Sequence, residues 1–156
     1  MNWTIFDYVV AGGMLACLLL GTILVIRTQR HWAARLAGGL TLIGFFLLVW
    51  SAGAVGIIGR SDNDANLAFL ALPLVASFGA VITRLRPAGL AVTLAVVAAG
   101  QSLIGLVALI GGLGSAGPAW PVDMLVATLV FTALFATAAA LFHFAARTQA
   151  ASSRSR

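Results

Sequence analysis

The sequence predicts an all-α integral membrane protein, a five-transmembrane helical bundle with its N-terminus outside and its C-terminus cytoplasmic. Three observations carry this expectation. The 156 residues are 62% hydrophobic and only 8% charged, with a mean hydropathy of +1.08. A soluble domain needs roughly a quarter of its residues to be Asp, Glu, Lys or Arg to cover its surface. The apolar residues also fall into five continuous runs near the length of about 20 residues that crosses a hydrocarbon core about 30 Å thick. Finally, the basic residues gather in alternate connections between those runs.

The first run, residues 5–26, has no Lys or Arg before it, so it lacks the basic leader of a cleaved signal peptide. Cys17 lies within this run and is the chain's single cysteine, which excludes an intrachain disulfide. Residues 36–58 form the second run, and 65–82 the third and shortest. The third contains Pro73, and a re-entrant segment is the alternative to a full crossing there. Residues 88–113 and 124–146 form the fourth and fifth runs. A single transmembrane domain therefore occupies residues 1–150, followed by a polar basic tail at 151–156. Continuous runs of this length exclude the alternating strands of a membrane β-barrel.

Orientation follows from the connections. All nine basic residues are Arg, and the chain has neither Lys nor Glu; with the abundance of Ala and Gly this points to a GC-rich bacterial genome. Arg27, Arg30 and Arg35 lie in the first connection, Arg84 and Arg86 in the third, and Arg147, Arg154 and Arg156 in the tail. The second connection holds Arg60 against Asp62 and Asp64, and the fourth has no basic residue. Basic residues accumulate on the cytoplasmic side of a membrane, so these cytoplasmic anchors place the protein in a bacterial inner membrane as a multi-pass chain. Trp3, Tyr8 and Trp120 fall at the outer boundary and Trp32 at the inner one, where amphipathic rings prefer to sit. Trp50 falls deeper, and its indole N–H needs a partner on another helix. Net charge is +5, but the arginines punctuate apolar runs and form no basic face, so no nucleic acid is expected as a partner.

The outer stretch GIIGRSDNDANL (Gly56–Leu67) reads as a helix-capping hairpin. Asp62, Asn63 or Asp64 can accept from the free N–H groups that begin the third helix. Ser61 and Asp64 form a loose capping box, and Arg60 can pair with either carboxylate. Two carboxylates fall well short of the roughly six to eight oxygens of a calcium site.

Helices in lipid associate through close packing at small residues. In the fourth run Ala91, Ala95, Ala98, Ser102, Gly105 and Gly112 lie on one seven-residue stripe, interrupted by Leu109. Gln101 lies beside it near mid-membrane, where its amide needs a partner on a neighbouring helix. In the fifth run Thr132, Ala136, Ala139 and His143 share a small face. Phe131, Phe135 and Phe142 lie on another face, suited to lipid or a partner subunit. His143, one turn after Ala139, is a place where haem or chlorophyll could be ligated, but a hydrated interfacial histidine is the simpler expectation, and no cofactor is predicted. His31 reads as a solvated loop residue.

No ionisable residue falls deep in any run; Asp7 lies at the outer end of the first. Such residues mark proton relays and ion pathways, so a proton pump is not expected. The sequence has no metal-binding HExxH, no phosphate-binding Gly-rich loop and no nucleophile–base constellation, and an enzyme is not expected.

The residues Val55–Gly59, Asp62-Asn63, Ala65-Asn66-Leu67, RLRPAG (Arg84–Gly89) and Gln101 resemble the pattern of a family of small bacterial inner-membrane proteins to which no activity is attached. Its outer-loop motif is GIIG-x-x-DN-x-AN-L. The family pattern carries an acidic residue before the Asp and a proline two positions after it. Here Ser61 and Asp64 occupy those places, which shifts negative charge across the cap. The resemblance implies the same five-crossing layout.

The functional expectation is a non-enzymatic accessory, assembly or stabilising subunit of a larger inner-membrane complex of respiratory or photosynthetic type. Its partners would be other membrane subunits and lipids. Its contact residues would be Arg60, Asp62, Asn63, Asp64, Asn66, Gln101, Ser102 and Trp50. A small transporter or channel with a polar route at Gln101 and Ser102 is the competing class. A lipid- or quinone-binding protein with a groove beside Trp50 and the aromatic stripe is the third.

Overall fold

The computed structural model describes residues 5–154 except 116 and 118, and the side chains of all of these except residues 6, 7 and 154. The sequence expectations for Trp3 and Arg156, and for the side chains of Asp7 and Arg154, lie outside that set. The described chain is helical, with no strand. Its elements are α1 (Ile5–Thr28), α2 (Trp32–Ala54), a 3-10 segment (Asp64–Leu70) that leads into α3 (Ala71–Ile82), α4 (Pro87–Ile110) and α5 (Val122–Arg154). Taking the 3-10 segment with α3, five helical spans are long and apolar enough to cross a membrane.

α5 is the middle helix of the bundle: it packs on both α4 and α2, while α3 packs on α4 and α1 on α2. Glycines sit where these helices approach most closely: Gly21 and Gly38 between α1 and α2, Gly44 between α2 and α5, Gly79 between α3 and α4, Gly105 between α4 and α5. A Cβ at any of them would strike a side chain of the facing helix. Small residues at close helix approaches are the packing that helices use in lipid, where there is no hydrophobic force between them. The expected stripe on α4 is in place at Ala91, Ala98 and Gly105, which are buried. Ala95 is exposed, and Gly112 lies beyond the helix end.

The aromatic face of α5 needs correction. Phe131, Phe135 and Phe142 are 7%, 0% and 3% exposed and belong to the core, with Phe135 against Phe45 of α2 at 4.7 Å between ring centroids. They face neither lipid nor a partner. α5 also continues past residue 146 to Arg154, because nothing after Arg147 breaks a helix: the sequence TQAASSR has no Gly or Pro. At 1.5 Å per residue it is about 50 Å long and outreaches a bilayer core.

The third span runs the length of the bundle. Its start is bound to the end of α2 by Asn66, which accepts from the N–H groups of Ile57 and Ile58 at 2.9 Å each. Its finish lies beside the α1–α2 connection, where Gln29 Nε2 donates to the Leu85 carbonyl at 2.9 Å. Seven 3-10 residues at about 2.0 Å and twelve α-helical residues at about 1.5 Å give roughly 32 Å. The re-entrant alternative is therefore set aside. The change from 3-10 to α geometry at Ala71 places Pro73 in the first turn of α3, where its missing N–H costs nothing.

Three further boundaries differ from expectation. α2 starts at Trp32 and not at residue 36, because His31 caps it there, so Arg35 lies in its first turn. α2 stops at Ala54, four residues early, because Gly56 (φ +85°) and Gly59 (φ +74°) turn the chain. α4 stops at Ile110 in a Schellman arrangement: Leu113 N–H donates to Ala108 O and Gly112 N–H to Leu109 O, with Gly112 at φ +63°.

Candidate functional site

The bundle has two dissimilar ends. At the end bearing the acidic hairpin, Ile57 and Ile58 turn inward between the helices and are 5% and 1% exposed. Asn66, 5% exposed, holds them there. Its oxygen takes both isoleucine N–H groups, and its Nδ2 donates to Arg60 O at 2.8 Å and Asn63 O at 3.1 Å. All four hydrogen-bonding positions of this amide are used. Asn63 caps the 3-10 segment by accepting from Ala65 N–H at 3.0 Å, while its Nδ2 donates to Ile58 O at 3.1 Å. The cap is thus Asn63. The Ser61–Asp64 capping box does not form around it, because Asp64 is already the first residue of the segment. Arg60 and Asp62 pair at 3.3 Å with side chains 75% and 72% exposed, a contact worth little in water.

The α4–α5 loop closes over the α2–α3 hairpin at this end. Gly114 (φ +89°) lies backbone against backbone on Gly59, so that a Cβ on Gly114 would sit 2.6 Å from the Gly59 nitrogen. The motif glycines and Asn66 are therefore a structural clasp in which two loops lock one end of the bundle.

The opposite end gathers the arginines. Gln29 is 3% exposed, and its carbonyl accepts from Arg35 Nε at 2.8 Å. Together with its bond to Leu85 it ties the Arg27–Arg30–Arg35 connection to the Arg84–Arg86 turn. His31 is the N-cap of α2, with Nδ1 accepting from Ala33 N–H at 3.2 Å. Its ring stands edge-on to Phe144 of α5 at 6.0 Å, which brings the Arg147 turn to the same end. His31 is thus a capping residue rather than merely solvated. Neither it nor Gln29 carried a sequence signal beyond being polar among arginines. His143 is exposed, and among the described residues it belongs to no gathered set of His, Cys, Asp or Glu side chains.

Between the ends a polar seam crosses α4 and α5. Ser102 Oγ and Thr132 Oγ1 are 3.0 Å apart. Gln101 is fully buried, and neither of its amide atoms has a hydrogen-bond partner among the described residues; the same holds for Thr128 Oγ1, beside Gly105. The partner expected for Gln101 on a neighbouring helix is not found among the described residues. Trp50 is 39% exposed and stacks on Phe46 of its own helix, 6.1 Å between centroids and 14° between planes.

α1 stands apart. Ala11, Met14, Leu18, Gly21 and Val25, spaced three and four residues apart, are half-buried, and no residue of the helix's apolar span is fully buried. On the rest of its surface Gly12 and Gly13 open onto empty space, with Ala16 and Cys17 one turn on and also exposed.

Comparison with protein-family models, curated proteins and solved structures gave no match.

Proposed function

We propose that this protein is a non-enzymatic accessory subunit of a larger membrane complex in the bacterial inner membrane, docked to a transmembrane helix of another subunit through α1. Membership of the small inner-membrane family that its outer loop resembles belongs to the same proposal, as does an orientation with the arginine end in the cytosol. One observation carries the reading: α1 is bound along a single seam and offers Gly12, Gly13, Ala16 and Cys17, unobstructed, on its remaining surface. Small residues four apart let a second helix approach closely enough for backbone contact.

Gly12→Ile is the decisive variant. Nothing within 4 Å opposes the larger side chain, so the chain's own stability is expected to change by less than about 0.5 kcal/mol. Its co-purification with partner subunits, and a photo-crosslink from position 16 to them, are expected to disappear. A chain that migrates alone from native membranes, or an unchanged crosslink in the variant, contradicts the proposal.

The second reading, a small transporter whose polar route passes between α4 and α5, requires a hydrated cavity that reaches Gln101, whereas that side chain is 0% exposed. Gln101→Leu separates the two. In the subunit reading it removes an uncompensated buried amide and raises stability by about 1–3 kcal/mol, measured by unfolding in micelles. In the transporter reading it abolishes flux in liposomes.

A further inference from the structure

The α3–α4 turn, whose Leu85 carbonyl takes Gln29 Nε2, also carries two arginines that no bundle contact uses. α3 ends in a second Schellman motif: Leu85 N–H donates to Ala80 O and Arg84 N–H to Val81 O. Its left-handed residue is Arg84, at φ +51°, followed by Leu85 at φ +56°. α4 ends in the same motif with glycine in that place. A side chain there is disfavoured because its Cβ crowds the following carbonyl. The fold therefore tolerates strain to keep an arginine at a position where glycine is easier, and such strain accumulates at functional positions.

Arg84 and Arg86, both exposed, line one notch with Thr83, Ala88 and Gly89. No acidic side chain pairs with either among the described residues. The notch shares Thr83 and Gly89 with a groove of about 1040 Å³ that runs between α3 and α4. The floor of the groove is the close approach of Gly79 to Thr93 and of Gly89 to Thr83. Its walls are Leu74, Phe78, Val81, Val92 and Val96, with Phe78 70% exposed. The other arginines of this end do not line it, and Arg35 is already committed to the Gln29 carbonyl.

We infer that this groove is a binding site for one anionic glycerophospholipid. The phosphate is held by the Arg84 and Arg86 guanidinium groups and an acyl chain lies between α3 and α4. The charge complementarity selects the class. Guanidinium groups match phosphate oxygens in fork geometry, two unpaired arginines demand a counter-charge, and the adjoining surface is apolar to its floor. An acyl chain gains little over bulk lipid by lying in the groove, so selectivity resides in the headgroup. Soluble phosphate lacks the groove contact, and a peptide would need an apolar segment carrying an acidic end. The site lies on α3 and α4 and is independent of the α1 surface.

The full-length chain, purified in mild detergent, is mixed with equal amounts of phosphatidylglycerol and phosphatidylethanolamine of matched acyl chains, and retained lipid is read by native mass spectrometry. One phosphatidylglycerol is expected to be retained selectively. Arg84→Gly and Arg86→Gln each lower that selectivity about fivefold, while Arg27→Gln leaves it unchanged. Arg84→Gly also melts no lower than the parent, since the left-handed position is relieved, so its loss of lipid is not a loss of fold. Val92→Trp, which fills the groove and leaves both arginines, lowers retention too. Equal retention of the two lipids, an equal loss in Arg27→Gln, or full retention in Val92→Trp overturns the assignment.

Discussion

Asn66→Ala is expected to destabilise the bundle by about 3–4 kcal/mol, measured by equilibrium unfolding in mixed micelles. The truncation removes four hydrogen bonds and orphans two N–H groups on residues that are almost wholly buried. Each unpaired buried donor costs about 1–3 kcal/mol, and at 5% and 1% exposure Ile57 and Ile58 leave little room for solvent to replace the lost acceptor. Asn66→Asp distinguishes this account from simple loss of volume. It preserves the shape and the acceptor toward both isoleucines, but it sets an oxygen against the carbonyls of Arg60 and Asn63. A loss comparable to that of the alanine variant is expected. Near-native stability in Asn66→Asp would show that the two donor bonds contribute nothing.

Gly114→Ala is expected to cost about 3 kcal/mol at the same end. Part of this, about 1–2 kcal/mol, is the left-handed backbone. The remainder comes from separating the loops, because the new Cβ meets the Gly59 nitrogen and the Ile58 carbonyl carbon at 2.6 and 2.9 Å. Backbone atoms cannot rotate aside as a side-chain end can, so the GIIG loop lifts and Ile58 loses part of its burial. Gly112→Ala supplies the control. It too lies at positive φ, yet nothing stands within 4 Å of its Cβ position, so only the backbone cost of about 1–2 kcal/mol remains. The double variant Asn66→Ala/Gly114→Ala should fall short of the sum, since both substitutions release the same loop. Strict additivity would mean that the two loops hold the bundle separately.

The five helical spans and the gathering of the arginines were readable from the chain, because length and charge are one-dimensional quantities. So was the stripe Ala91–Ala98–Gly105, since close packing in lipid leaves small residues at a fixed period. Which way Phe131, Phe135 and Phe142 point was not readable. A lipid-facing surface is as apolar as a core, so the polar–apolar contrast that reveals the inner face of a soluble helix is lost. The GIIG segment misled for a related reason. Two isoleucines after a long apolar run read as its last turn, and only the positive φ of Gly56 ends the helix before them. Asn66 stood within a recognisable motif, but its four partners lie on residues 57, 58, 60 and 63 and become a set only when the loop folds. Gln29 had no local signal at all, because its function depends on a carbonyl 56 residues away. The unpartnered Gln101 shows the opposite case, where mid-span placement was evident and the expected partner helix was not.

Every proposed role rests on five crossings with the Asn66 clasp outside and the arginine turns in the cytosol. Substituted-cysteine labelling tests this most directly, with Cys17→Ser as background and a membrane-impermeant maleimide applied to intact spheroplasts. Ser61→Cys, on the exposed face of the acidic hairpin, is predicted to be labelled at once, and Arg30→Cys only after the membrane is opened. Rapid labelling of Arg30→Cys in closed spheroplasts, with Ser61→Cys protected, would contradict it.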